Sequence, residues 1–286
     1  MKRPVAHLLI IDPQNDFCDL PESHRPLIDG IHRATPSLPV PGAHADMVRV
    51  AEIVEQAGAG LSHISITLDS HQHFDIGHPT FWVQGDGSAV APFTQIHAAD
   101  VRSGRFKPRL PGAIDRVVTY LSALESSGRY VHMVWPIHCE IGTWGHNVHN
   151  DVRLAYNRWE EANNAIVKKV TKGTNPWTEH YSAIKAEVPD PSDVDTQVNR
   201  AFLAELNRAT RIFITGEAGS HCVKATTEHI VEGLRGTDLG RLVIVKDCMS
   251  AVAGFEAQFA AFLSDMENRG LQIRTAADVI ADLRKL

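Results

Sequence analysis

Short aliphatic and β-branched runs recur along the chain, separated by longer stretches in which apolar residues return every three or four positions. The runs at residues 6–11, 62–68, 130–135, 165–171, 211–215 and 242–246, with a weaker one at 271–274, are predicted to be strands. Between the first two, residues 45–56 place Met47, Val50, Ala51 and Val54 on one face, the spacing of an amphipathic helix. Residues 114–124, 196–208, 221–234 and 255–268 follow the same pattern. Strands alternating with helices predict an α/β fold, a mostly parallel sheet covered by helices on both faces. Residues 18–42, rich in Pro, His and Gly, break the alternation, and so do residues 79–112, where aromatics are scattered without period. Loops of this length in a compact domain are usually functional covers or insertions, so the chain reads as one domain over 1–286 with two insertions.

Composition narrows the function classes. The 286 residues are 43% hydrophobic and 22% charged, ordinary for a globular enzyme with a sizeable core. A net charge of −6 without any basic run argues against nucleic acid and anionic membrane surfaces as partners. The apolar run after Met1-Lys2-Arg3-Pro4 is too short for a secretion signal, and no stretch approaches the roughly 18–20 residues of a membrane span. Cys18, Cys139, Cys222 and Cys248 show no paired C-x-x-C spacing and read as reduced thiols, which with the missing signal predicts a cytoplasmic protein. The sixteen histidines are the unusual count, and several fall between His71 and His149.

Reactive side chains gather where the predicted strands end, the edge at which open α/β sheets bind ligands. Asp12 closes the first strand, Asp69 and His71 the second; His138 follows the third, Lys172 closes the fourth, and Cys222 follows the fifth. Cys222 ends the turn Thr215-Gly216-Glu217-Ala218-Gly219-Ser220-His221-Cys222 and starts a helix, whose dipole is expected to favour the thiolate. Free N–H groups of that turn are placed to hold an oxyanion. The competing reading is a buried structural cysteine, the ordinary fate of a lone thiol. His221 points elsewhere on the helix and reads as structural. Asp12 is either a turn former or the carboxylate that takes the thiol proton and returns it to leaving ammonia. Lys172 alone means little, but beside a carboxylate and a thiolate it stabilises charge and orients both.

Asp69 and His71 are two apart and share one face. With His138 they form a carboxylate–imidazole set suited to Zn²⁺, Fe²⁺ or Mn²⁺ with open positions, to which His78 or His73 adds a further ligand. The alternative is a histidine-rich polar loop without metal. Cys139, adjacent to His138, reads as packing.

Taken together and in order, Asp12-Pro13-Gln14-Asn15-Asp16-Phe17, Leu38-Pro39-Val40-Pro41-Gly42, Asp69-x-His71, Trp135-Pro136-x-His138-Cys139, Lys172-Gly173 and Gly216-x-Ala218-x-x-His221-Cys222-Val223 resemble the nicotinamidase (pyrazinamidase-type) branch of the isochorismatase-like cysteine hydrolases. The resemblance implies a three-layer sandwich with a mostly parallel sheet of about six strands. It also implies a catalytic triad of Asp12, Lys172 and Cys222, an oxyanion site at the Ala218 and Cys222 N–H groups, and a metal held by Asp69, His71 and His138. His78 fits the additional histidine by spacing and by the Pro79 that follows it. Zn²⁺ is the first expectation for the ion, Fe²⁺ or Mn²⁺ the alternatives. Phe17 and Trp135 match the aromatics that sandwich the nicotinamide ring, with Tyr181 a further wall.

The expected activity is conversion of nicotinamide, or a similar small aromatic carboxamide, to the acid and ammonia through a Cys222 thioester, in a homo-oligomer. Rivals are an amidase for another amide, ureido or carbamoyl substrate, a metal-hydroxide hydrolase with structural Cys222, and a non-catalytic binding protein on the same fold. Three features depart from the family pattern. Glu217 replaces an apolar residue before Ala218, where the family commonly has a cis peptide; Ser220 stands where an acid is common; and the insertions are long.

Overall fold

The computed structural model describes residues 4–234 and 236–286; the charged start at residues 1–3 lies outside them. The chain opens with β1 (Ala6–Ile11), crosses α1 (Ala43–Ala57) and returns as β2 (His63–Asp69). An excursion follows through β3 (Trp82–Gln84), β4 (Thr94–Ile96), α2 (Ala98–Arg102) and β5 (Phe106–Pro108), then α3 (Ile114–Ser127) and β6 (His132–Val134). From there helix and strand alternate strictly. These are α4 (Asn150–Asn163), β7 (Lys168–Lys172), α5 (Arg200–Asn207), β8 (Arg211–Gly216), α6 (Cys222–Gly233), β9 (Leu242–Val245), α7 (Glu256–Asn268), β10 (Gln272–Arg274) and α8 (Ala276–Leu283).

Six strands form a wholly parallel sheet in the order β10-β9-β8-β1-β2-β7. Every residue of the central β1 is buried, as a strand covered on both faces requires. The chain leaves β1 towards β2 and leaves β8 towards β9, in opposite directions across the sheet. That divergence opens a crevice at the carboxyl ends of β1 and β8, the switch point at which such sheets bind ligands. α1 packs with α4 and α8 and turns Met47, Val50, Val54 and their neighbours inward, the face its sequence spacing marks out.

The run at 130–135 does not join the central sheet as its pattern predicts. β6 pairs antiparallel with β4, Thr94 opposite Val134 and Ile96 opposite His132. The reason lies in the side chains: Met133 and Trp135 belong to the main hydrophobic core, whereas Val134 between them packs into a second one. A three-residue strand alternating between two cores lies between them rather than beside a central strand. The second core also corrects the reading of residues 79–112 as a loop. Phe81, Trp82, Ile96, Val101 and Phe106 pack there with Leu121 and Leu124 of α3, and β3 pairs with β5 beneath them. Among the described residues, no helix is long and apolar enough to cross a membrane.

Candidate active site

Asp12, Lys172 and Cys222 meet at that switch point. Asp12 follows β1 with φ of 44°, a left-handed conformation uncommon away from glycine, and Thr67 of β2 binds both its backbone N–H and its Oδ1. Lys172 is the last residue of β7, and Cys222 the first of α6. The Lys172 Nζ lies 2.8 Å from Asp12 Oδ2, 2.9 Å from Asp69 Oδ1 and 3.6 Å from Cys222 Sγ. Side-chain ligand atoms of Asp12, Asp69 and Cys222 all fall within 4.8 Å of one another. Relative exposures of 0% for Asp12, 2% for Lys172 and 5% for Cys222 mean that water screens these charges little.

The electrostatics correct one expectation. Burial, reinforced by the Asp12 and Asp69 charges, holds the Cys222 thiol well above its ordinary pKa despite Lys172 and the helix terminus, so the thiol rather than the thiolate is the resting form. Burial likewise raises Asp12, with Asp69 adding to it and Lys172 opposing, which makes it a proton acceptor of raised basicity. Burial alone would discharge Lys172, but Asp12, Asp69 and Cys222 outweigh it and keep the ammonium charged. The resting site is thus a thiol beside a basic carboxylate, with a fixed cation touching both.

The turn before α6 spends its hydrogen bonds selectively. The N–H groups of His221 and Val223 donate to Ala218 O at 3.0 and 3.1 Å, while those of Ala218 and Cys222 have no acceptor among the described residues. Two free donors thus flank the nucleophile, as an oxyanion site requires. The Glu217–Ala218 peptide is cis, as the resemblance implies.

The histidine set is equally specific. His71 Nε2 lies 3.1 Å and His138 Nε2 3.5 Å from the same oxygen, Asp69 Oδ2. His138 Nδ1 donates to Pro136 O at 2.8 Å, and His71 Nδ1 faces Asp75 Oδ2 at 3.2 Å. Protons on both Nδ1 atoms turn two lone pairs and a carboxylate oxygen towards one point, an arrangement that fits a cation and is poorly satisfied without one. His71, His78 and His138 each bring one nitrogen within 4.8 Å of the others, all buried, so the donors fit a divalent ion. His73 instead faces solvent and pairs with Glu140 at 2.9 Å, which removes it from the ligand candidates.

Phe17, Trp135 and Tyr181 line one cavity with Asp69, His71, His138, Ala218 and Cys222. Trp135 Nε1 donates to Tyr181 OH at 3.1 Å, which fixes the tilt of the indole. His221 lines the same cavity, its ring edge-on to Trp135 at 5.1 Å and to Phe255 at 4.7 Å. It is an aromatic wall rather than a base, and burial followed by Lys224 presses its pKa to about 4. Sequence reasoning did not find Asp75, Glu179, His180 or Val252. Asp75 carried a signal, standing four residues after His71, whereas the others come from irregular segments. Burial raises Glu179 to about 8. The 79–112 insertion touches this wall through Phe93, edge-on to Trp135 at 6.0 Å.

No protein-family model matches the chain, and no curated protein matches its sequence. Solved structures do match in shape. A nicotinamidase/pyrazinamidase of Acinetobacter baumannii is 15% identical with a TM-score of 0.61, over 98% of this chain and 100% of that one. A pyrazinamidase of Pyrococcus horikoshii in complex with zinc is 18% identical with a TM-score of 0.52, over 95% and 99%. An isochorismatase-like hydrolase of Alkaliphilus metalliredigens is 14% identical with a TM-score of 0.52, over 97% and 98%. With its six-stranded parallel sheet, the chain has the isochorismatase-like hydrolase fold, which these nicotinamidases and pyrazinamidases share.

Proposed function

We propose that the protein is an amidohydrolase converting a small aromatic carboxamide, nicotinamide foremost, to the carboxylic acid and ammonia through a Cys222 thioester. The observation that carries this reading is the contact of Lys172 with both Asp12 and Cys222, the last of which lines a cavity shared with Phe17 and Trp135. Asp12 takes the Sγ proton as sulfur bonds to the carboxamide carbon, and the Ala218 and Cys222 N–H groups hold the resulting oxyanion. The carbonyl re-forms as the C–N bond breaks, and the proton on Asp12 passes to nitrogen, which leaves as ammonia. Asp12 then takes a proton from water as the oxygen adds to the thioester carbon. Collapse frees the acid, and sulfur recovers its proton from Asp12.

Lys172 stays charged throughout and offsets negative charge on Asp12 and sulfur. Phe17 and Trp135 offer apolar faces to a flat ring, and burying such a ring is worth about 1.5–3 kcal/mol. A divalent ion held by Asp69, His71 and His138, with His78 beside them, would supply Lewis-acid polarisation to the substrate's heteroaromatic end.

Ammonia release from a panel of carboxamides, with nicotinamide and pyrazinamide included, tests the proposal. Turnover of nicotinamide by the native protein and none by Cys222→Ala at normal metal content is the expected result. Full turnover by Cys222→Ala would overturn the covalent mechanism, and release only from non-aromatic amides would overturn the substrate class.

A further inference from the structure

Glu217 is fully buried one residue before Ala218, where a charged type is out of place. Its carboxyl oxygens have different surroundings. Oε2 accepts from Ser250 N–H at 3.1 Å, whereas Oε1 has no hydrogen-bond donor facing it. The neighbour that raises Glu217's pKa most by charge and by side-chain hydrogen bonding is Asp46 of α1. Asp46 already holds the local cation, for Arg49 donates to its Oδ1 at 2.7 Å, and its Oδ2 accepts from Ser250 Oγ at 2.6 Å. Two carboxyl groups with one arginine, which binds Asp46, leave Glu217 no counter-ion. Such a pair is stable when it shares a proton, and the oxygen without a donor is the one placed to carry it.

We propose that Glu217 is a positioning residue for the nucleophile turn: a neutral carboxylic acid that donates to Asp46 and accepts from Ser250 N–H, thereby fixing the peptide that presents the Ala218 N–H beside Cys222. The inference rests on the reading of this turn as the oxyanion site. The backbone shows what the side chain braces. Gly216 N–H donates to Cys248 O at 2.9 Å, Glu217 N–H to Ile11 O at 2.8 Å and Gly219 N–H to Ser250 O at 2.7 Å, so the turn hangs between the end of β1 and the segment after β9. Glu217 adds the tie to α1 through Ser250, which both acids bind, and the shared proton would complete it between Glu217 and Asp46.

The other titratable and charged groups around this pair do not supply an alternative partner. Asp19 and Cys18 lie beside it from the segment after β1, and Asp247 and Cys248 from the turn after β9. Both thiols are buried and held above the ordinary range, so they remain neutral, and Arg49 divides its donors between Asp46 and the Asp247 carbonyl. Burial first, then the Asp46 charge, hold Glu217 well above the ordinary carboxylate range, in agreement with the geometry. A raised pKa in the fold means that the brace is present below that value and is lost as pH climbs through it.

Glu217→Gln preserves the arrangement, its amide N–H₂ donating where the acid donates and its carbonyl accepting from Ser250 N–H. Glu217→Leu keeps the volume and loses both bonds. For the amide turned over, Glu217→Leu is expected to lower kcat by about tenfold or more with little change in KM, since a small misplacement at the reacting centre costs that much. Glu217→Gln is expected to restore kcat to within about threefold of the native value, a rescue that packing alone would not produce. An infrared difference spectrum of native minus Glu217→Gln at the pH of the kinetic assay adds a readout independent of turnover, and it applies even if Glu217→Leu does not fold. The carbonyl band of a protonated carboxylic acid is expected there. A carboxylate band in its place, native kcat in Glu217→Leu, or equal impairment of the Gln and Leu variants would each overturn the proposal. Normal turnover in Cys222→Ala would remove the covalent mechanism, and with it the reading of this turn as the oxyanion site, but leave the infrared result to decide the protonation of Glu217.

Discussion

Asp69 joins the two halves of the site through Lys172: its Oδ1 receives the Lys172 ammonium at 2.9 Å while its Oδ2 faces His71 and His138. Whatever charge sits among the histidines is therefore felt one carboxylate away by the group that contacts Asp12 and Cys222. With protons in place of an ion on their Nε2 atoms, His71 and His138 join Lys172 in outweighing burial and hold Asp69 well below its ordinary range, so it stays ionised and transmits that influence as a fixed charge.

Removing Lys172 leaves Asp12 and Asp69, two buried acids, facing each other without the ammonium between them. Lys172→Met is expected to lower kcat by about a hundredfold or more, as loss of a preorganised charge at a reacting group does. It is also expected to destabilise the fold by about 3–5 kcal/mol, as breaking a buried ion pair from one side does. Steady-state kinetics and denaturant unfolding check the two parts. A variant with native kcat and native midpoint would show that Lys172 is neither electrostatic partner nor structural clamp.

Asp75 orients His71 from behind, and such outer carboxylates typically contribute ten- to a hundredfold to metal affinity. Asp75→Asn is expected to retain its fold and lose its metal to a competing chelator at correspondingly lower chelator concentration. Metal analysis after dialysis against graded chelator is the measurement. Because an ion held by Asp69, His71 and His138 would tie β2 to the segment after β6, chelation of the native protein is also expected to lower Tm. Equal metal retention in the two proteins would remove Asp75 from the ligand assembly.

Most of the central sheet was readable because its strands are short apolar runs separated by periodic helices, a signal carried by local sequence. The site was readable because the fold puts ligands at strand ends, and Asp12, Asp69 and Lys172 stand at theirs. Misreadings arose where structure depends on distant partners. β6 has the composition of a central strand, yet Trp135 and Val134 are claimed by different cores. β3, β4 and β5 have three residues each, too few to show a period. The thiol state of Cys222 turned on burial and on Asp12 and Asp69, which lie far away in sequence. Glu179 and His180 reach the cavity from an irregular segment that carries no helical or strand pattern.

Trp135 and Tyr181 act as one wall, because the indole N–H donates to the phenol oxygen in a buried setting. Tyr181→Phe strands that N–H at a cost of about 1–3 kcal/mol and frees the indole to tilt, so KM is expected to rise more than kcat falls. Trp135→Ala removes the ring face itself and is expected to raise KM by about tenfold or more, matching the burial of one aromatic side chain. Kinetics on a ring-bearing and a ringless amide separate the effects. Equal losses on both substrates would show that the wall does not bind the ring.

Acid is expected to weaken the fold through histidines that are buried neutral. His132 is the clearest case: burial presses its pKa to about 4 against an ordinary value of 6.5, and its Nε2 donates to Ile76 O at 3.0 Å in the second core. The unfolded chain binds a proton at this residue below pH 6.5, while the folded chain resists until about 4. Its contribution is therefore complete above 6.5 and is lost progressively as pH falls between the two values, amounting to about 3 kcal/mol. His132→Gln keeps an N–H for Ile76 O and cannot titrate. Denaturant unfolding across that interval is expected to show native stability falling more steeply than that of His132→Gln, by up to one proton's worth of slope. Part of the remaining slope in the variant belongs to His7, His149 and His221, which are also pressed to about 4, and to His180 and His229, pressed to about 3. Parallel curves for the two proteins would show that His132 enters the fold already charged, and the second core would then need a carboxylate partner for it.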